Sequence, residues 1–93
     1  MNRNKLKHAR IKVDQLDQKI FNLVKKRTRI IRYMLSLKKS RKEIVDRKRN
    51  NEILEMIKNK SIKNSIDQKL TILIWKAMIW GYVDFQRRNF KKK

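Results

Sequence analysis

Ninety-three residues carry 28 lysines and arginines against 8 aspartates and glutamates, a formal charge of +20. A chain this short makes one domain at most, residues 1–93, and the absence of cysteine excludes disulfides and thiolate metal sites. A single histidine argues against an imidazole metal site, while no proline and one glycine (Gly81) favour an all-helical fold.

Met1 to Arg10 has no apolar run of signal-peptide length, and nowhere do about eighteen apolar residues follow one another. The chain is therefore expected in the cytoplasm, with no membrane partner. Its positive field would attract any polyanion. The basic residues are nonetheless spread along the whole chain, beside abundant asparagine and isoleucine. An AT-rich coding bias accounts for that composition without any function.

In chain order, Leu6, Ala9, Val13, Leu16, Ile20, Leu23, Arg27, Ile30, Met34 and Leu37 recur at spacings of three and four. This predicts one long helix from Arg3 to Lys39, roughly 50 Å in length, with these residues as its buried seam. No compact monomer of this size covers such a stripe with its remaining half, so a two-fold homodimer is expected. Ser40-Arg41-Lys42-Glu43 fits a capping box and opens a second helix between Ser40 and Val45, running to Lys58. Asn59 to Asn64 reads as a polar connection. Ser65-Ile66-Asp67-Gln68 repeats the capping pattern and opens a third helix to Asn89, with Ile66, Leu70, Leu73, Ile74, Ala77, Met78, Gly81 and Phe85 at helical spacing. The tail, Lys91 to Lys93, is expected to fray.

Several polar residues fall on faces where apolar ones belong. Arg27 interrupts the seam, and its guanidinium requires an anion there, either a carboxylate of the protein or an acidic ligand. Lys38 lies about 20° from Arg27 around the helix and about 16 Å further along it. Arg10 lies about 100° from Arg27, so a symmetry partner brings the two together more easily than one chain can. Counting back from Ile57 and Ile53 on helix two reaches Asn50, Arg49 and Asp46. On helix three, Trp75, Ile79, Tyr82 and Gln86 form a stripe that turns polar toward its end. A polar cluster rich in positive charge and enclosed by helices suits a small molecule with more than one carboxylate. Each residue also has a plain alternative: Arg27 snorkelling or pairing with a glutamate, Lys38 solvated near a helix end, Asp46 as a helix-terminal acid.

Taken in register, these residues resemble the all-helical bacterial (type II) chorismate mutases. Arg10, Leu16-Asp17 with Arg27, and Lys38 match that family's first helix. Val45-Asp46-Arg47-Lys48-Arg49 followed by Glu52-Ile53-Leu54 resembles its second, and Ile74-Trp75-Lys76-Ala77-Met78-Ile79 with Gln86 its third. The resemblance covers Leu6 to Phe90. It implies an intertwined homodimer in which Arg10 of one chain and Arg27 of the other hold the two carboxylates of chorismate. Lys38 and Gln86 would donate to the ether oxygen, with Arg49 and Asp46 lining the site. It also implies an intramolecular rearrangement to prephenate that needs no cofactor, nucleophile or metal. Glutamine at 86 donates at any pH, so activity is not expected to be confined to acid.

Two positions depart from the family pattern. Asn50 stands where a glutamate usually contacts the substrate hydroxyl, a loss of about 1–2 kcal/mol in recognition. Tyr82 replaces a frequent serine. Both features also resemble the related isochorismate-pyruvate lyases. Two further readings stay open beside these. One is a small basic nucleic-acid-binding protein, favoured by Arg87-Arg88 and Lys91-Lys92-Lys93 but opposed by aromatics that sit in an apolar stripe. The other is a helical interaction module in which Arg27 fixes register. With no attached regulatory or dehydratase domain, the chain is expected to be a stand-alone form.

Overall fold

The computed structural model describes residues 2–91, all of whose regular structure is helical. The expected fraying at Lys92 and Lys93 lies outside those residues. By contact the chain falls into two units, Met1–Tyr33 and Met34–Lys93.

The described part of the first unit belongs entirely to helix α1 (Asn2–Leu37), whose 36 residues would span about 54 Å. Nothing in this stretch breaks a helix, because glycine and proline are absent and lysine, leucine and arginine are its commonest residues. The seam read from the sequence keeps its helical register. It is not a core within the chain, however: its leucines and isoleucines are exposed, Leu23 by 62%. Phe21, Ile11 and Val24 are exposed on adjoining faces. Arg10 is exposed and Arg27 half-buried.

In the second unit the last turn of α1 leads through a short 3-10 turn, Arg41–Glu43, to α2 (Arg47–Lys63) and α3 (Gln68–Asn89). Leu35, Ile44 and Val83 form its buried cluster, with Val45 and Phe90 packed against them. α2 and α3 pack on each other as a hairpin joined by four residues.

The helix boundaries correct the sequence expectations in four places. α1 stops at Leu37, two residues before Lys39. The Ser40–Glu43 box caps only the 3-10 turn: the Glu43 carboxylate accepts from the backbone N–H groups of Ser40 (2.9 Å) and Lys39. α2 begins later, because Asp46 is the better cap; its carboxylate accepts from the Arg49 N–H at 3.0 Å. α2 then runs to Lys63 instead of ending at Lys58, since Ser61 continues the inward line of Ile57. Ser61 is 2% exposed, donates to the Ile57 carbonyl at 2.7 Å and pairs with the Thr71 hydroxyl at 2.6 Å. A satisfied serine occupies a core position there.

At the α2–α3 junction Ser65 does not cap a helix. It ends one, with φ at 54° in the left-handed region. Its N–H donates to the Ile62 carbonyl and that of Ile66 to the Ser61 carbonyl, the paired bonds of a Schellman termination. Asp67 caps α3 instead, accepting from Lys69 and Leu70 N–H groups at 2.8 and 3.3 Å. α3 buries Thr71, Ile79, Val83 and Gln86. Leu70, Leu73 and Ile74, from the stripe expected to face inward, are exposed instead, Leu73 by 67%.

Candidate functional site

The α1–α2 connection and the C-terminal half of α3 bring two of the expected residues into direct contact. Lys38 follows the last residue of α1, where its N–H still donates to the Leu35 carbonyl at 3.1 Å. Its Nζ reaches across to α3 and donates to Gln86 Oε1 at 2.8 Å. Gln86 is only 6% exposed, held in place by the same packing that buries Val83. An ammonium has donors alone, so the amide oxygen must face Lys38 and the amide nitrogen must face away. That nitrogen donates to the Tyr82 carbonyl at 3.1 Å, one turn back on α3. One of its two N–H groups is so used and the other remains for a ligand, as do two N–H groups of the Lys38 ammonium. Tyr82 is half-buried, its ring edge-on to Phe85 at 6.1 Å between centroids.

The remaining second-unit residues stand differently. Asp46 lines a cavity of about 780 Å³ together with Lys38, but its carboxylate is engaged in capping α2. Arg49 is exposed in the single chain, its guanidinium 3.8 Å from Glu52 in a surface ion pair. Position 49 lies one turn before the half-buried Ile53 and position 50 two turns before Ile57, whereas Asp46 precedes the helix as its cap. Asn50 is half-buried and lines a smaller hollow of about 300 Å³ with Arg47, Leu54, Ile79 and Trp80. Arg10 and Arg27 belong to the first unit.

The electrostatics of the connection favour anions. Glu43 is held below the ordinary carboxylate range by backbone N–H donation from Ser40 and then Lys39, with the nearby lysine charges acting the same way. Arg41 donates to the Arg87 carbonyl at 3.1 Å and lies 5.4 Å from the centre of the Phe90 ring, tying the connection to the end of α3. Arg47, Trp80 and Arg87 also line these hollows and were not singled out as site residues. The available signal was the seven-residue spacing of Trp80 and Arg87, which places them on one face of α3. Among the described residues no cluster of histidine, cysteine, aspartate or glutamate could hold a metal ion, and no helix is long and apolar enough to cross a membrane.

The sequence profile of the family described as chorismate mutase type II matches residues 9–87. The chain belongs to that family. No curated protein and no solved structure matches it. The match takes in every residue singled out above as a candidate, from Arg10 to Gln86. For a chorismate mutase type II chain, the arrangement of Lys38 and Gln86 has a direct chemical reading. A fixed cation and a neutral donor stand side by side, an arrangement able to stabilise negative charge developing on a bound molecule without a nucleophile.

Proposed function

We propose that the protein is a chorismate mutase, rearranging chorismate to prephenate in the synthesis of aromatic amino acids. Membership of the family supports the chemistry, and the 2.8 Å bond between Lys38 and Gln86 is the observation that carries the residue assignment. On this reading Lys38 donates to the ether oxygen of the breaking bond and stabilises the charge that gathers there. Gln86 holds the ammonium in place and offers its spare N–H to the same oxygen. Arg27 and Arg10 grip the two carboxylates with forked contacts and keep the enol-pyruvyl arm folded over the ring. By resemblance to the family Asp46, Arg49, Asn50 and Tyr82 line the pocket, Arg49 by leaving its exposed ion pair with Glu52.

The catalytic form is a cytoplasmic homodimer, each protomer one domain, with Arg10 supplied by the partner. The exposed seam of α1 supports this, since a helix face bearing Leu6, Val13, Leu16, Ile20, Leu23 and Ile30 in water is costly until a second copy covers it. A second reading, isochorismate-pyruvate lyase, is favoured by Asn50 in place of a glutamate and by Tyr82 one turn before Gln86. The test is incubation of the pure protein with each substrate. Loss of chorismate with formation of prephenate is the expected result. Pyruvate release from isochorismate without prephenate formation would assign the lyase activity instead.

A further inference from the structure

A cavity of about 780 Å³ in the second unit is lined by Lys38 but extends away from its partner Gln86. Gln86 and Tyr82 do not line it; Trp80 and Arg87 do. At about 100° per residue, the Trp80–Arg87 face of α3 stands about 130° round the helix from the Tyr82–Gln86 face. Val83, 3% exposed, closes the space between them. The cavity therefore adjoins the pair and shares Lys38 and Asp46 with the proposed chorismate pocket, while its far side is formed by the start of α2 and the outer flank of α3.

Its chemistry is one-sided. Five cations line it, Lys38, Arg41, Lys42, Arg47 and Arg87, against two acids, Glu43 and Asp46. Both acids are already engaged by backbone N–H groups, Glu43 at Ser40 and Lys39 and Asp46 at Arg49. Lys38 and Arg41 are engaged too, on Gln86 and on the Arg87 carbonyl. Among the described residues, the side chains of Lys42, Arg47 and Arg87 make no hydrogen bond or ion pair. Three cations thus line one cavity of about 780 Å³ with no carboxylate directed at them, and Trp80, 53% exposed, supplies a flat apolar wall. Cations lining one concave surface can bind compact oxyanions, and a volume in this range holds a small metabolite.

We propose that this cavity is a second anion site, built by Lys42, Arg47 and Arg87 against Trp80, for a small molecule bearing two or more carboxylate or phosphate charges. None of these four residues takes part in the chorismate reading, although the cavity borders Lys38 and Asp46, which do. Citrate and inorganic phosphate are suitable probes, one for each anion class.

The full chain is titrated with each probe by calorimetry at constant ionic strength, and the fluorescence of Trp80 is followed in a Trp75→Phe background, where it is the sole tryptophan. Saturable binding of at least one probe is expected, weakened about tenfold or more by Arg47→Ala with Arg87→Ala while chorismate turnover persists. Should that pair unfold the protein, Arg47→Gln with Arg87→Gln serves the same purpose. An absence of saturable heat with either probe, an undiminished response in the double variant, or an equal response to sodium chloride overturns the proposal. Binding of a probe by a protein that fails to convert chorismate would remove the mutase reading and leave this site standing. Normal turnover without probe binding would do the reverse.

Discussion

Lys38 and Gln86 divide the labour between charge and orientation. The ammonium brings the charge, and the buried amide limits where it can go. Glutamine has no proton to lose in the working range, so on the proposed reading activity should not switch off at neutral pH. Gln86→Glu is the sharpest probe of that point. A carboxylate there would be ionised at neutral pH and would draw Lys38 into an ion pair, so the rate should fall about tenfold or more and recover as the pH is lowered. Rate–pH profiles of the two proteins check this; a flat ratio across the range would show that position 86 does not touch the reaction.

Glu43 carries the opposite pH signature. Its carboxyl is lowered by backbone donation, so its contribution to the turn is complete above the ordinary glutamate range, fades as the pH falls through it, and is lost below the lowered folded value. Acid titration of the Lys39 and Ser40 amide signals should give a midpoint below that ordinary range. A midpoint within it would mean that the backbone bonds are not held in solution.

At the scale of the elements, the α2–α3 junction shows a serine where glycine is the usual choice. Ser65 sits at φ 54° and completes the paired terminal bonds despite its Cβ. Ser65→Gly should therefore stabilise the protein by about 1 kcal/mol in denaturant unfolding. A loss of stability would show that the serine side chain contributes something the backbone account misses.

The same junction shows what could be read from the sequence and what could not. The long reach of α1 was legible because no residue in it interrupts a helix, and Arg27 stood out because its neighbours at three and four are apolar. The starts of α2 and α3 were misplaced because a Ser-x-x-Glu/Gln pattern is satisfied by local geometry alone. Ser40 begins a single 3-10 turn, and Ser65 ends a helix. The last turn of α2 was missed because Ser61 is polar in the sequence, and its buried partner Thr71 is ten residues away. The Lys38–Gln86 pair spans 48 positions, a separation no periodicity reports. It was expected only through resemblance to the family. Arg49 lies one turn before Ile53 on α2, and its exposure in the single chain is something the spacing does not report.

For the molecule as a whole, the exposed apolar seam of α1, the interrupting Arg27 and the exposed Arg10 fit together if two chains share their sites. A charge of +20 then aids capture of a dianionic substrate, an effect that should weaken with added salt. Sharing makes a demand that no monomeric enzyme meets. Arg10→Ala and Lys38→Ala should each abolish turnover, because every site in either homodimer lacks one cation.

A heterodimer of the two variants contains one site with both cations intact and one with neither. The decisive measurement is chorismate turnover by the two variants co-expressed, compared with each alone and with the unsubstituted protein. The account predicts two inactive parents and a mixture with about one quarter of full activity, half of the dimers being mixed and half of their sites whole. A mixture as inactive as its parents, with the unsubstituted protein turning chorismate over, would contradict it.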